Sequence, residues 1–228
     1  MDEYTFHIPP ECKDPVEVVY VDEHILVVDK PSGLLSVPGR IVKDCVKSRI
    51  SYDYPDATIV HRLDLDTSGL LILSLSKLAT IELNRQFRDR IIEKRYIADV
   101  FGRVSPDSGD IDFPIATDSA NRPRQRIDLE NGKQSLTRYE VLERSGDSTR
   151  LLLKPVTGRS HQLRIHLAHI NHPILGCDLY AHAEAYSAAD RLCLHAHELR
   201  ILHPAGGQPR SFKSKVPFEK AKKKSSSE

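Results

Sequence analysis

The sequence predicts a fold of mixed α and β character. Two observations carry this: β-rich runs that pair across short turns, and separate segments whose apolar residues recur at helical spacing. Residues 16–21 and 25–29 are β-rich and separated by Asp22-Glu23-His24, which reads as a hairpin. Lys30-Pro31-Ser32-Gly33 closes it as a turn, with Pro fixing φ and Gly supplying a conformation costly to other residues. Residues 40–51 read as a short helix and 52–57 as a loop. Residues 59–60 and 70–73 read as buried β segments, and 77–90 as a helix with Ala79, Leu83 and Phe87 on one face. Residues 94–100 and 109–115 are further strands, and 137–143 with 149–156 form a hairpin around Ser145-Gly146-Asp147-Ser148. Gly158 marks a strand-to-helix turn, Ser160 an N-cap, and Leu163, Leu167 and Ile170 the apolar face of a helix ended by Asn171 and Pro173. Residues 192–202 alternate as a strand that carries His195 and His197, and Pro204-Ala205-Gly206-Gly207 turns the chain into residues 210–215.

A chain of 228 residues suffices for one sizeable domain or one domain split into two lobes. Lys plus Arg is 33 and Asp plus Glu is 32, so overall charge is silent about nucleic acid and any basic footprint must be local. The densest basic loop is Asn121-Arg122-Pro123-Arg124-Gln125-Arg126. Its three guanidiniums suit phosphate contacts, with a solvated loop as the competing reading. The acidic start lacks the apolar core of a signal peptide, and no apolar run approaches the roughly 20 residues of a membrane span, so a cytoplasmic protein is expected. Cys12, Cys45, Cys177 and Cys193 are scattered, which favours free thiols over disulfides or a zinc clamp. The Lys/Ser-rich residues 220–228 are expected to be a disordered tail, 1–15 an N-terminal extension, and 16–219 the catalytic domain.

The stretch that carries chemistry is His61-Arg62-Leu63-Asp64-Leu65-Asp66-Thr67-Ser68-Gly69. Between two β segments, this polar block belongs at the mouth of a sheet, where a short loop holds side chains rigidly. A plain polar turn, with Asp66, Thr67 and Ser68 bonding their own backbone, is the competing reading. The order of residues decides, because it resembles the H-R-L-D-x-x-T-S-G signature of the RluA-type pseudouridine synthases. Two further blocks resemble the same family: Lys94-Arg95-Tyr96 its K-x-Y element, and Thr157-Gly158-Arg159-Ser160-His161-Gln162-Leu163-Arg164-Ile165-His166 its T-G-R-x-H-Q-L-R-x-H block. Lys30-Pro31-Ser32-Gly33 matches the family's K-P-x-G turn, which supports the fold rather than a catalytic role.

The resemblance implies an α+β fold: a long mixed, mostly antiparallel sheet flanked by helices, with the active site in a cleft between two lobes. It implies isomerisation of uridine to pseudouridine in RNA, either large-subunit rRNA or a tRNA anticodon stem-loop or both. Asp64 falls on the family's nucleophile, Tyr96 on a stacking and proton-relay residue, and Arg164 on the arginine that ion-pairs with the nucleophile. His61, Arg62, Leu63 and Leu163 are expected to bind substrate, with Arg62 entering the space left by the extruded base, and Arg122, Arg124 and Arg126 to bind phosphates. Because no redox change occurs and no group is imported, no cofactor or metal is expected. Many relatives carry an S4-type RNA-binding module; here recognition is expected from the domain itself, acting as a monomer with no required protein partner.

Two alternatives compete. Leu65-Asp66-Thr67-Ser68-Gly69 approximates an aspartic-protease loop, but the glycine is misplaced and no second copy exists. A catalytically silent RNA-binding module would explain the arginine loop but not Asp64, Tyr96 and Arg164 in family order.

Overall fold

The computed structural model describes residues 10–219. The expectation for the Lys/Ser tail lies outside the described residues. In chain order the elements are β1 (Glu17–Val21), β2 (Ile25–Lys30), α1 (Val46–Ile50), β3 (Thr58–Ile59), β4 (Ser68–Ser74), α2 (Lys77–Arg88), β5 (Glu93–Phe101) and β6 (Ser108–Asp112). They continue as β7 (Ile115–Thr117), β8 (Gln125–Ile127), β9 (Leu136–Ser145), β10 (Ser148–Pro155), α3 (Gln162–His169), α4 (Ala183–Ser187), β11 (Leu194–Leu202) and β12 (Pro209–Lys213).

Ten strands form one sheet with the path β1-β2-β4-β11-β5-β10-β9-β6, β3 pairing on β4 and β12 on β11, while β7 and β8 form a separate ribbon. Its ladders are antiparallel except at one place: β11 runs parallel to β4, with His195 opposite Ser68 and Ala196 opposite Gly69. This seam joins an N-terminal half, β1-β2-β4, to a C-terminal half, β5-β10-β9-β6. Gly69 sits on it at φ 110°, and a Cβ there would overlap the Ala196 backbone. Only glycine lets the two strands approach.

Both faces of β2 and β4 are covered, which is why β4 reads as an unbroken apolar run rather than an alternation. Ile25, Val27, Leu70 and Ile72 pack beneath Ala79 and Leu83 of α2. Leu26, Val28, Leu71 and Leu73 pack on the other face with Val46, Ile50 and Leu63. In the C-terminal half, Leu151 and Leu153 of β10 pack on Leu163 and Leu167 of α3.

The structure departs from the sequence reading in three places. The helix expected over 40–51 covers only α1, whose N-cap is Cys45. The strand expected over 109–115 is two strands, β6 and β7, broken at Phe113-Pro114 because proline cannot donate into a ladder. Ser160 is not the N-cap of α3. His161 takes that place at φ 55°, and the turn is stapled by Gln162, whose Oε1 accepts from Arg159 N at 3.0 Å and Thr157 Oγ1 at 2.7 Å.

Behind the seam, His195 is 1% exposed and bonded at Nδ1 to Ser68 Oγ (2.9 Å) and at Nε2 to Ser214 Oγ (2.9 Å). Burial, helped by the charges of His197 and Arg191, draws its imidazole from the ordinary 6.5 to about 4. Between those values the unfolded chain binds a proton that the folded chain refuses, so stability falls as pH drops through this window and levels below it. The contribution is at most about 3 kcal/mol. Urea midpoints measured from pH 7 to pH 4 should fall, and His195→Gln should flatten that slope; an unaltered slope assigns the loss to other groups.

Candidate active site

The polar block of residues 61–69 crosses from the N-terminal half to the seam, and the carbonyls at its centre are all hydrogen-bonded. Thr67 N donates to Asp64 O at 3.2 Å, closing a tight turn. Ser36 Oγ donates to Leu63 O at 2.9 Å and accepts from Leu63 N at 3.1 Å. Gly33 N donates to Leu65 O at 3.0 Å, and Ser32 Oγ to Asp66 O at 2.7 Å. Lys30 completes the arrangement. Its ammonium, 0% exposed, donates to Leu34 O (2.7 Å), Leu65 O (2.8 Å) and Pro31 O (2.9 Å). Thus every carbonyl from Leu63 to Asp66 has a donor, and the K-P-x-G turn acts as the cradle of the loop.

Above this loop lies a cleft of about 530 Å³, within the range of small-ligand sites. Asp64, Tyr96, Arg164, His61, Arg62, Leu63 and Leu163 all line it. The fold brings them from three places: the loop before β4, the strand β5, and the helix α3. Six cations line the cleft, namely Arg62, Arg88, Arg90, Lys94, Arg159 and Arg164, against one carboxylate, Asp64. Arg88, the last residue of α2, and Arg90 just beyond it contribute to this lining from the side of the helix.

His61 is held neutral. Its Nε2 accepts from Ile72 N at 3.0 Å, its ring packs 4.7 Å from Phe87, and burial with the charge of Lys94 lowers its pKa to about 3. It orients the loop and is no proton carrier at neutral pH. Burial, with the charge of Asp64, pushes the Tyr96 phenol up, so its hydroxyl stays protonated. Burial and the charge of Asp178 raise Asp66, against Arg164 and Lys30.

Arg164 does not ion-pair with Asp64, contrary to the sequence expectation. Its side chain runs toward the turn after α3, where Nη2 ion-pairs with Asp178, Nε and Nη2 lie 3.4 and 3.3 Å from Cys177 Sγ, and the Tyr180 ring lies 5.6 Å away. Burial works against its charge, and Cys177, Asp178 and Asp64 more than offset that. Nor does the fold bring Arg122, Arg124 and Arg126 into the cleft. They are exposed on the loop and edge of the β7–β8 ribbon, with Arg126 paired to Asp128 at 2.8 Å. Tyr180 bridges the gap: its hydroxyl accepts from Gln125 N at 2.8 Å and bonds His161 Nδ1 at 2.8 Å.

Sequence reasoning missed Lys94, Arg159 and His161 as cleft residues, although all three stand inside the recognised blocks. Asp178 and Tyr180 carried no signal, because only the turn after α3 returns them to Arg164.

Comparison with known proteins agrees with this geometry. Residues 24–169 match the family described as RNA pseudouridylate synthase. The dual-specificity RNA pseudouridine synthase RluA of Escherichia coli strain K12 is 52% identical over 204 residues, spanning 88% of this chain and 93% of that protein. The protein of the same description from Haemophilus influenzae is 46% identical over 212 residues, spanning 92% and 97%. Among solved structures, Human RNA Pseudouridylate Synthase Domain Containing 1 matches with a TM-score of 0.80 at 30% identity, covering 93% of this chain and 88% of that one. The open mixed sheet and its seam cleft are those of an RNA-modifying isomerase. The chain belongs to the RNA pseudouridylate synthase family.

Lys30→Met should leave Leu34 O without its side-chain donor and Leu65 O with only the Gly33 amide. The expected loss is on the order of 3 kcal/mol, since orphaned buried carbonyls cost about 1–3 kcal/mol each. Urea unfolding followed by circular dichroism measures it. A loss below about 1 kcal/mol would mean the ammonium does not hold the loop.

Proposed function

We propose that this chain converts uridines of RNA to pseudouridine with Asp64 as nucleophile, acting on a stem-loop and on large-subunit rRNA. The observation that supports this most is the lone carboxylate: Asp64 stands on a loop whose carbonyls are hydrogen-bonded, in a cleft whose other charged lining residues are all cations. Isomerisation breaks C1′–N1, turns the base, and joins C5 to C1′. The C5 proton is lost and N1 gains one, so neither charge nor oxidation state changes overall. A carboxylate can serve by attacking C1′ or C6, forming a covalent intermediate in either case.

In this reading the target nucleotide is extruded, uracil stacks on Tyr96, and Arg62 fills the vacated stack. Because burial keeps the Tyr96 hydroxyl protonated, it relays the C5 proton only by passing its own proton on in the same step. Arg164 exchanges Asp178 for Asp64 when the nucleotide seats. The exchange is inexpensive, because the Asp178 side chain is 47% exposed and is solvated on release. Arg122, Arg124 and Arg126 meet phosphates outside the cleft, and Tyr180 keeps their ribbon in register with His161. The dual specificity named for the RluA relatives fits a site that reads an extruded base and its backbone.

Tritium release from RNA labelled at uridine C5 tests the activity directly, with rRNA and tRNA fragments assayed separately. Asp64→Asn should abolish release while RNA binding persists, and Asp66→Asn should retain turnover; the reverse pattern would overturn the assignment. Alanine at Arg122, Arg124 or Arg126 should weaken binding to all RNAs alike and reduce the salt slope by about one unit each. A changed choice of uridine instead would mean that the loop reads bases.

A further inference from the structure

Lys94 is one of the cations of the cleft that the isomerisation chemistry leaves unused, and it stands nearest Tyr96 in sequence. It stands two residues before Tyr96 on β5, so both side chains project from the same face of the strand. The alternate face carries Glu93 and Arg95, and there the carboxylates are already taken. Glu198 pairs with Arg95 at 3.3 Å and Arg200 at 2.7 Å, and Glu93 lies 3.8 Å from each of these arginines. Strand alternation thus separates Lys94 from the acidic groups nearest in sequence. Among the described residues it makes no hydrogen bond and no ion pair, although it is half-buried against Gly158 and His61. Burial alone lowers its pKa. His61 accepts from the Ile72 amide and gives Lys94 no counter-charge. A half-buried ammonium with no partner is costly, and an anion seated on it removes that cost.

The distance identifies the anion. Residues two apart on a strand are about 7 Å apart, comparable with the span from a pyrimidine ring to the phosphate of its own nucleotide. Arg90 and Arg159 also line the cleft and add to its positive surface. Resting on the reading that Tyr96 receives the extruded uracil, we propose that Lys94 binds a non-bridging oxygen of a phosphodiester flanking the target uridine. Lys94 would then fix the nucleotide at both ends, base on Tyr96 and backbone on its own ammonium, so that C1′ and C6 are presented to Asp64.

The test is a double-mutant cycle between one side chain and one phosphate. Stem-loop RNAs that the wild-type chain converts are made with a single neutral methylphosphonate at each position in turn, and affinity and single-turnover rate are measured for wild type, Lys94→Met and Lys94→Arg. Circular dichroism verifies folding, and Lys94→Arg keeps a charge at the site if the methionine variant fails to fold. In wild type, neutralising one flanking phosphate should weaken binding about tenfold, the scale of one charge-assisted contact. In Lys94→Met that same substitution should cost nothing further, while distant ones cost as much as in wild type. In Lys94→Arg the wild-type sensitivity should persist at the same phosphate. Equal costs at every position in wild type and Lys94→Met overturn the proposal, as does loss of the sensitivity in a folded Lys94→Arg. A wild-type chain that releases no tritium from any RNA would overturn the underlying function instead, a result distinct from an active enzyme with additive costs.

Discussion

A buried ammonium hydrogen-bonded to three carbonyls governs the geometry of this molecule. Lys30 ends β2, and its side chain reaches past its own turn to Leu34 and across to Leu65, tying the edge of the N-terminal half to the loop that enters the seam. Burial draws its pKa down to about 7, against the charges of Asp66, Cys12 and Asp64. Three acceptors match three N–H donors only while the amine is protonated, so the cradle itself favours the charged form. With Ser32, Gly33, Ser36 and the Thr67 amide donating to the carbonyls of residues 63–66, the loop has few alternative conformations to visit. A side chain on such a backbone is presented at a fixed angle, which a nucleophile attacking a single carbon requires.

The seam explains why that presentation falls where it does. Antiparallel ladders dominate the sheet, and a parallel pair at its centre brings the start of β4 beside the start of β11, next to β5. The Asp64 loop and Tyr96 therefore meet although they lie far apart in sequence. Gly69 is the residue on which this proximity rests, since any side chain would force β4 away from β11.

Much of this was legible in the sequence. The β runs and α2 emerge from periodicity because each buries one stripe or an entire strand, and Ala79 and Leu83 are buried as the spacing of α2 requires, whereas α3 is buried at every position from Gln162 to Leu167 and was legible from its motif and flanking turn instead. The motif blocks delivered Asp64, Tyr96 and Arg164 into one cleft. What sequence reading missed was decided by contacts between side chains that no local pattern encodes. Ser160 is a sound N-cap by type, yet the Gln162 side chain claims the turn and moves the helix start by one residue. Arg164 has the family position for Asp64, yet the turn at Cys177 and Asp178 offers nearer acceptors. Lys94 was visible as a letter of its motif, but its freedom from partners is a property of the folded strand alone.

Charge balance makes the same point at the scale of the whole molecule. A chain with 33 basic and 32 acidic side chains has no net field with which to attract a polyanion. The fold creates one by sorting. Asp99 takes both forks of Arg150 at 2.7 Å, and Glu198 is held between Arg95 and Arg200, so these acids are neutralised at short range away from the cleft. Within the cleft, cations outnumber the one carboxylate, and the separations are short compared with a Debye length of about 10 Å at 0.1 M salt. The local potential therefore survives screening where an RNA backbone would enter.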